Sequence, residues 1–447
     1  MKKIILGLAS LLVPAMLKAQ LPNPSTRAIG MSGAYTSMAR GYESVYWNPA
    51  MLAAEGSPGF SISLPHGDFE FESNIYNLSD FRRYENHYLN DADKQTLMNR
   101  LVPDSSLTAG AKFDASLFGL SVNNFAFEVG TSGQGNLSVN KDAMQLLLYG
   151  NAARTEPGQF FTADGSGVQG WAATTAAASF ALPFYFQKDR LSVGVTGKYT
   201  IGHFLASAED LGSRLDANPS FSATEEAQAI YTNYNSNCIG ISPLGEKSCL
   251  GKVGTGISAD IGAALQIPNK NITLSAVIVN AFSSMNWNKG RLIYERTDCE
   301  TARNSSGNFV KTCTDSTKLT TQSEIGADKK ASAFQDYLLK NSSFSRLVRV
   351  GFAIKRGRLT LGNMVQLRLA RGLDEQPAAF ISTGLEYNIL GFLPIRVGSS
   401  WDFENEKAIS SGVGLQVKGF SIDAAVESIS GLNYSGIKLG IGAGFIW

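Results

Sequence analysis

The chain lacks most of what marks a helical membrane protein or a common enzyme. Beyond residue 17 it has no apolar run near the roughly 18 residues that a membrane-crossing helix needs, which excludes helical spans. It holds only three histidines, His66, His87 and His203. No Gly-x-Ser-x-Gly or His-Glu-x-x-His occurs. The stretch Gly251-Lys-Val-Gly-Thr-Gly256 lacks the Gly-Lys-Ser/Thr ending of a phosphate loop. No catalytic group, cofactor or metal is therefore expected. Net charge is also missing: 39 Lys and Arg against 38 Asp and Glu leave +1, so there is no basic footprint for nucleic acid.

Cysteine is scarce as well. Cys238, Cys249, Cys299 and Cys313 are the only four. An even count in an exported chain favours disulfides. The short separations suggest Cys238–Cys249 and Cys299–Cys313, although the other two connectivities stay open. A four-thiolate metal site is the rival, but neither pair has CxxC spacing and no histidine is near.

What the chain does have is alternation. Leu359, Leu361, Val365, Leu367 and Leu369 are interleaved with Thr360, Gly362, Gln366 and Arg368. Ile437, Leu439, Ile441 and Phe445 are interleaved with Lys438, Gly440, Gly442 and Gly444. Side chains alternate faces with period two along a strand, so each set shares one face. A uniformly aliphatic face opposite glycines and charges is the pattern of strands with lipid on one side and a polar lumen on the other. The expected fold is all-β: a transmembrane antiparallel barrel of about fourteen strands with partly helical outer loops. A soluble sandwich or propeller also alternates, but would not need so many inward charges.

Strands are predicted near 59–66, 106–122, 125–133, 168–183, 190–205, 252–266, 271–284, 346–356, 358–370, 378–390, 393–403, 407–418, 419–429 and 436–447. Alternate connections are short, and those at 67–105, 134–167, 206–251 and 285–345 are long. Short periplasmic turns with long outer loops suit an outer-membrane barrel. Helices are expected within Leu78–Leu101, at Asn140–Tyr149 and at 331–340. All four cysteines fall in the outer loops. Charges on the lipid face would cost energy, so Arg349, Arg368, Glu386, Arg396, Asp402, Asp423, Glu427 and Lys438 are assigned to the lumen. The inward glycines would leave room for an occupant or relieve strand curvature.

The N-terminus reads as an export signal. Lys2 and Lys3 precede an apolar stretch from Ile4 to Leu17, with cleavage expected after Ala19. Residues 1–19 are then the signal, 20–56 a plug and 57–447 the barrel, in the outer membrane of a Gram-negative-type bacterium. A final strand ending in Trp447 would be read by the barrel-assembly machinery. The segment 20–56 does not alternate. Gly30 and Gly33 permit tight backbone, and Asn48-Pro49 is a turn signal. It would fold back into the lumen, where Arg27, Arg40 and Glu43 could pair with lumen charges; otherwise it only caps the barrel mouth.

Two stretches of that segment, Arg27-Ala-Ile-Gly-Met-Ser-Gly-Ala-Tyr35 and Tyr46-Trp-Asn-Pro-Ala-Met-Leu-Ala53, carry a family likeness. They resemble the N-terminal region of FadL-type outer-membrane transporters and their PorV-like relatives. That resemblance implies a fourteen-stranded barrel whose hatch contains an Asn-Pro-Ala turn, here Asn48, Pro49 and Ala50. With Arg27, Gly30 and Gly33 these are the candidate gating residues. In the transporter branch the hatch admits long-chain fatty acids or other hydrophobic small molecules, released sideways through a barrel opening. The PorV-like branch implies instead a component of a protein secretion or surface-attachment system, with a secretion-system partner. A purely structural barrel is the third reading.

Overall fold

In the computed structural model, the described residues are 25–76, 80, 83–85, 88–101, 106–150, 160–216, 230–239, 254–287, 292–303, 309–340, 342–369, 379–402, 407–429 and 436–446. Fourteen strands close into one antiparallel barrel. They are β1 (Phe60–Ser63 and His66–Ser73), β2 (Leu107–Val122), β3 (Phe125–Val139), β4 (Gly167–Phe186) and β5 (Asp189–Asp210). Next come β6 (Gly254–Ile267), β7 (Ile272–Asn286), β8 (Leu347–Arg356), β9 (Leu359–Arg368) and β10 (Ala379–Ile389). The last four are β11 (Leu393–Asp402), β12 (Lys407–Val417), β13 (Phe420–Ile429) and β14 (Gly436–Ile446). Each strand pairs with its neighbours in sequence, and β14 returns to β1, so no edge is left open. Closure is what a membrane demands, because an unpaired edge in hydrocarbon has no water to satisfy it.

Side-chain alternation sets the two faces. In β9, Leu359, Val365 and Leu367 are exposed while Gly362, Met364, Gln366 and Arg368 are buried. In β11, Ile395, Val397 and Trp401 are exposed while Arg396 is buried. Each of the fourteen strands exposes at least one large aliphatic or aromatic side chain. Among the described residues no helix is long and apolar enough to cross a membrane; the strands do it.

The expected strands all occur, several of them longer than anticipated. β1 resumes after Leu64-Pro65 and runs to Ser73, where a proline and four charged or imidazole side chains in eight residues read as loop. β3 and β5 continue to Val139 and Asp210. The outer loops also carry strands of their own. Ile230–Ile239 adds to the upper part of β5, Leu292–Arg303 pairs with it, and Phe309–Leu319 pairs with that in turn. Cys299 and Cys313 face each other across the last pair and form a disulfide. Cys238 lies on Ile230–Ile239, and Cys249 lies outside the described residues, as does Trp447.

Helices appear at Asp91–Arg100, Lys141–Tyr149, Gln322–Ala327 and Lys329–Lys340. Asn140 caps the second through its side chain to the Ala143 amide at 2.7 Å. Within the predicted stretch Leu78–Leu101, Leu78 and Phe81 lie outside the described residues. Helices 91–100 and 141–149 share an apolar cluster of Ile75, Leu97, Leu101, Leu107 and Met144. The last two helices pack Ile325 and Ala331 against Trp171, Leu205, Trp287 and Tyr294. Trp171 and Leu205 are inward residues of β4 and β5, so this loop folds over the outer mouth.

Candidate functional site

Residues 25–54 are buried almost throughout, and short helical turns carry them: Thr26–Ile29, Gly41–Glu43, Ser44–Trp47 and Pro49–Ala53. Their backbone lies against inward glycines of the barrel wall. A Cβ on Gly384 would sit 2.6 Å from Met31 Cβ, and one on Gly440 2.6 Å from Ile29 Cδ1. A Cβ on Gly442 would come 2.8 Å from Thr26 Oγ1, and one on Gly362 2.5 Å from the Ala34 carbonyl. A Cβ on Gly398 would run into the Met31–Ser32 peptide itself. These glycines form a track that only a bare backbone leaves wide enough. Gly30 approaches Gly412, its Cβ position lying 3.2 Å from the Gly412 Cα. Gly33 has φ +84°, a left-handed conformation that glycine adopts without strain. Gly414 differs from the rest, since its missing side chain makes room for Asp423.

The Asn48-Pro49-Ala50 turn is seated on the opposite wall. Asn48 Oδ1 accepts from the Ala50 amide at 3.0 Å, capping the turn. Its Nδ2 donates to the Ala263 and Ala276 carbonyls at 3.3 Å each. Pro49 and Ala50 cover Gly194, where a Cβ would lie 2.5 Å from the Ala50 nitrogen. One side chain thus ties the segment to β6 and β7 together.

The eight lumen residues divide into groups. Arg396, fully buried, donates to Glu386 Oε2 at 2.7 Å and Asp423 Oδ1 at 2.6 Å. Arg27 reaches the same Glu386 oxygen at 3.3 Å and Glu43 at 3.5 Å. Glu43 also accepts from Ser25 Oγ at 2.8 Å and from the Tyr35 hydroxyl. An unbroken chain of alternating charge therefore runs from Glu43 in the segment through Arg27, Glu386 and Arg396 to Asp423 in the wall. Arg40 turns instead to its own backbone, donating to the Ala39 carbonyl at 2.9 Å. On the far side Arg349 donates to Gln366 Oε1 at 2.8 Å and to the Tyr46 carbonyl at 3.2 Å. Its guanidinium stands 4.8 Å from the centre of the Trp47 ring. Arg368 and Asp402 are buried, and Glu427 is half-buried opposite Lys438.

Beside Lys438, several buried charges lie outside the eight predicted lumen residues. Lys438 pairs with Asp68 at 3.0 Å and Glu70 at 3.3 Å, and Lys112 with Asp114 at 3.1 Å. Lys198 pairs with Asp260 at 2.5 Å, both side chains 1% exposed. The signal was present in 66–73 and 107–122, where Asp68, Glu70, Lys112 and Asp114 alternate with glycine, phenylalanine and alanine.

Above the segment, on the β9–β14 side, lies a cavity of about 140 Å³. Its floor is Ala28, Ile29, Ser32 and Trp47; Met364, Phe380 and Ile429 form an apolar wall. Lys112, Asp114, Glu70, Glu427 and Lys438 form a charged one. Among the described residues no group of three or more His, Cys, Asp or Glu is placed to hold a metal. The cavity can accept a small guest with an apolar body and a polar end.

A closed fourteen-strand antiparallel barrel with lipid outside and a polar, charged lumen is a membrane barrel of the outer-membrane type. Residues 49–400 match the model of a family of unknown function (DUF5723), and the chain belongs to that family. None of the curated proteins matches it. Among solved structures it is similar to the TodX monoaromatic hydrocarbon channel deltaS2 mutant, at 12% identity and TM-score 0.50, over 96% of this chain and 100% of that one. It also matches the Pseudomonas putida toluene transporter TodX, at 13% identity and TM-score 0.48, over 96% of this chain and 99% of that one. A Pseudomonas aeruginosa FadL homologue matches at 12% identity and TM-score 0.46, over 96% and 99%. The first of these likenesses shows a shared fold, that of the FadL-type barrels.

Proposed function

We propose that this chain is a passive outer-membrane transporter for hydrophobic small molecules with a polar end, of the long-chain fatty acid kind, gated by residues 20–56 as a hatch. The carrying observation is the seating of residues 25–54 on the glycine track, below a cavity with one apolar and one charged wall. A guest would enter past the outer helices, place its body against Met364, Phe380 and Ile429, and turn its head towards Lys112 and Lys438. Onward passage requires the Arg27–Glu386 contact to break and the Asn48-Pro49 turn to leave β6 and β7. The export signal at 1–19 would deliver the chain to the outer membrane. In β1 to β5 every neighbouring pair of strands is hydrogen-bonded. That pairing favours a route through the hatch over release through the wall.

The test is mass spectrometry of small molecules extracted from detergent-purified protein. A co-purified amphiphile, displaced when Phe380→Arg closes the apolar wall, is the expected result. Extracts with no amphiphile, together with a stable soluble protein partner, would move the assignment to a secretion or attachment role.

A further inference from the structure

The periplasmic rim is charged on one side. Three consecutive short turns, β4–β5, β6–β7 and β8–β9, carry Lys188, Arg190, Lys270, Lys355, Arg356 and Arg358. The carboxylates nearby are Asp189 and, just past the buried segment, Glu55. None of the six cations makes an ion pair among the described residues. The remaining turns are almost neutral: Asn123-Asn124 joins β2 to β3, Leu390-Gly391-Phe392 joins β10 to β11, and Lys418-Gly419 joins β12 to β13. A chain of net charge +1 therefore gathers six unpaired cations on one arc of its rim.

Hydrogen bonding sets the three turns side by side. Arg190 is opposite Gln266 in the β5–β6 ladder, and the Lys355 amide donates to the Asn271 carbonyl at 3.1 Å. Neighbouring hairpins then stand about 10 Å apart, twice the strand spacing. That is comparable with the screening length of about 8 Å at physiological salt, so the cations present one field. Arg190 and Lys355 stand on the inward faces of their strands. Ser192, two residues on from Arg190, donates to the Ala53 carbonyl at 3.0 Å, and Ala353, two before Lys355, packs on the buried segment. Behind them Arg40 donates to the Ser37 and Ala39 carbonyls and pairs with no carboxylate among the described residues.

We propose that this arc docks the acidic face of a soluble periplasmic partner. The occupant is a protein rather than bilayer headgroups, because lipid surrounds the whole rim while the cations hold one arc of it and two of them face the mouth. The arc also ends the strands that seat the Asn48-Pro49-Ala50 turn, β5, β6 and β7. On the transport reading, on which this role rests, a hydrophobic guest released there needs a carrier across the aqueous periplasm. The arc steers an acidic carrier to that exit.

The test is fluorescence anisotropy of a labelled polyglutamate peptide, the probe for an acidic face, with full-length protein in phosphatidylcholine nanodiscs. Wild type should bind it. Lys188→Glu, Lys270→Glu and Arg358→Glu combined, one change in each turn, should weaken binding about tenfold or more. The same change of net charge made at Lys311, Lys330 and Lys418, all exposed and off the arc, should leave binding within about twofold. Unchanged heat-modifiable gel mobility confirms that both triple variants are folded. No binding by wild type, or equal weakening in both variants, would overturn the proposal. So would native mass spectrometry in which wild type, but not the arc variant, keeps phosphatidylglycerol from mixed nanodiscs, which would assign the arc to lipid headgroups. Peptide binding needs no guest, so extracts without amphiphile would strike the transport reading and leave the docking surface standing.

Discussion

Replacing Gly384 and Gly398 together by alanine should lift the N-terminal segment while leaving the barrel intact. The two glycines are directly opposite each other in β10 and β11, and both face Met31. A Cβ on Gly384 would lie 2.6 Å from Met31 Cβ and 2.9 Å from the Met31 carbonyl, distances that real side chains do not adopt. Overpacking of this kind costs about 1–3 kcal/mol per site. Because both methyl groups strike the same residue, the two costs are less than additive. A combined penalty of about 2–4 kcal/mol corresponds to roughly a thirty- to several-hundred-fold shift towards the unseated segment, at 1.4 kcal/mol per tenfold. The wall ladder itself is indifferent to alanine, so the strain is relieved by the segment. Controls are Gly135→Ala and Gly197→Ala, where a Cβ meets nothing within 4 Å. Amide hydrogen exchange over residues 25–40 in detergent is the assay. Faster exchange in the double variant alone is expected. Unchanged exchange there, or equal acceleration in the controls, would refute the glycine-track reasoning.

Arg396→Met should destabilise the folded protein by about 3–5 kcal/mol, because it strands the buried Asp423 carboxylate and leaves Glu386 with Arg27 alone. Urea titration of refolding into vesicles measures this, and a loss below 1 kcal/mol would count against the charge chain. In the outer loops, Arg296 donates to Asp315 and Asp328. Hydrogen bonding to Arg296 and to the Ala331 amide holds the Asp328 carboxyl down at about 2. Thr317 and Arg296 likewise hold Asp315 low. A carboxylate depressed below its unfolded value of about 3.9 contributes stability above that pH. The contribution is lost as pH falls from there through about 2. Exchange in helix Lys329–Lys340 should therefore rise, relative to its intrinsic rate, over that window, and Asp328→Asn should raise it already at pH 7. Reduction of the Cys299–Cys313 bond, 14 residues apart, should free the hairpin 292–319 from a constraint worth about 3 kcal/mol. Limited proteolysis would show new cleavage there and none in the barrel.

The barrel was legible because a membrane imposes a simple rule. Each strand must offer lipid an apolar face, so Leu359, Leu361, Val365 and Leu367 had to alternate with something else. The second half of β1 was hidden by Pro65 and by its own chemistry. Asp68 and Glu70 are inward groups paired with Lys438, but density of charge in a short stretch reads as loop until the partner strand is known. The outer strands at 230–239, 292–303 and 309–319 were hidden for a related reason. Adjacent polar residues, such as Thr297-Asp298 and Thr317-Lys318, break the alternation that marks a lipid-facing strand. The buried pair Lys198–Asp260 joins residues far apart in sequence, and nothing local marks it. By contrast, the inward glycines were visible at once. Their purpose became clear only when the backbone of Met31 and Ser32 was found against Gly384 and Gly398.

The central claim, that residues 20–56 close the barrel, is tested most directly by conductance in planar lipid bilayers. Full-length protein should be electrically silent, and a variant lacking residues 20–56 should form a stable open pore of uniform conductance. A full-length protein that already conducts like the truncated one would contradict the account.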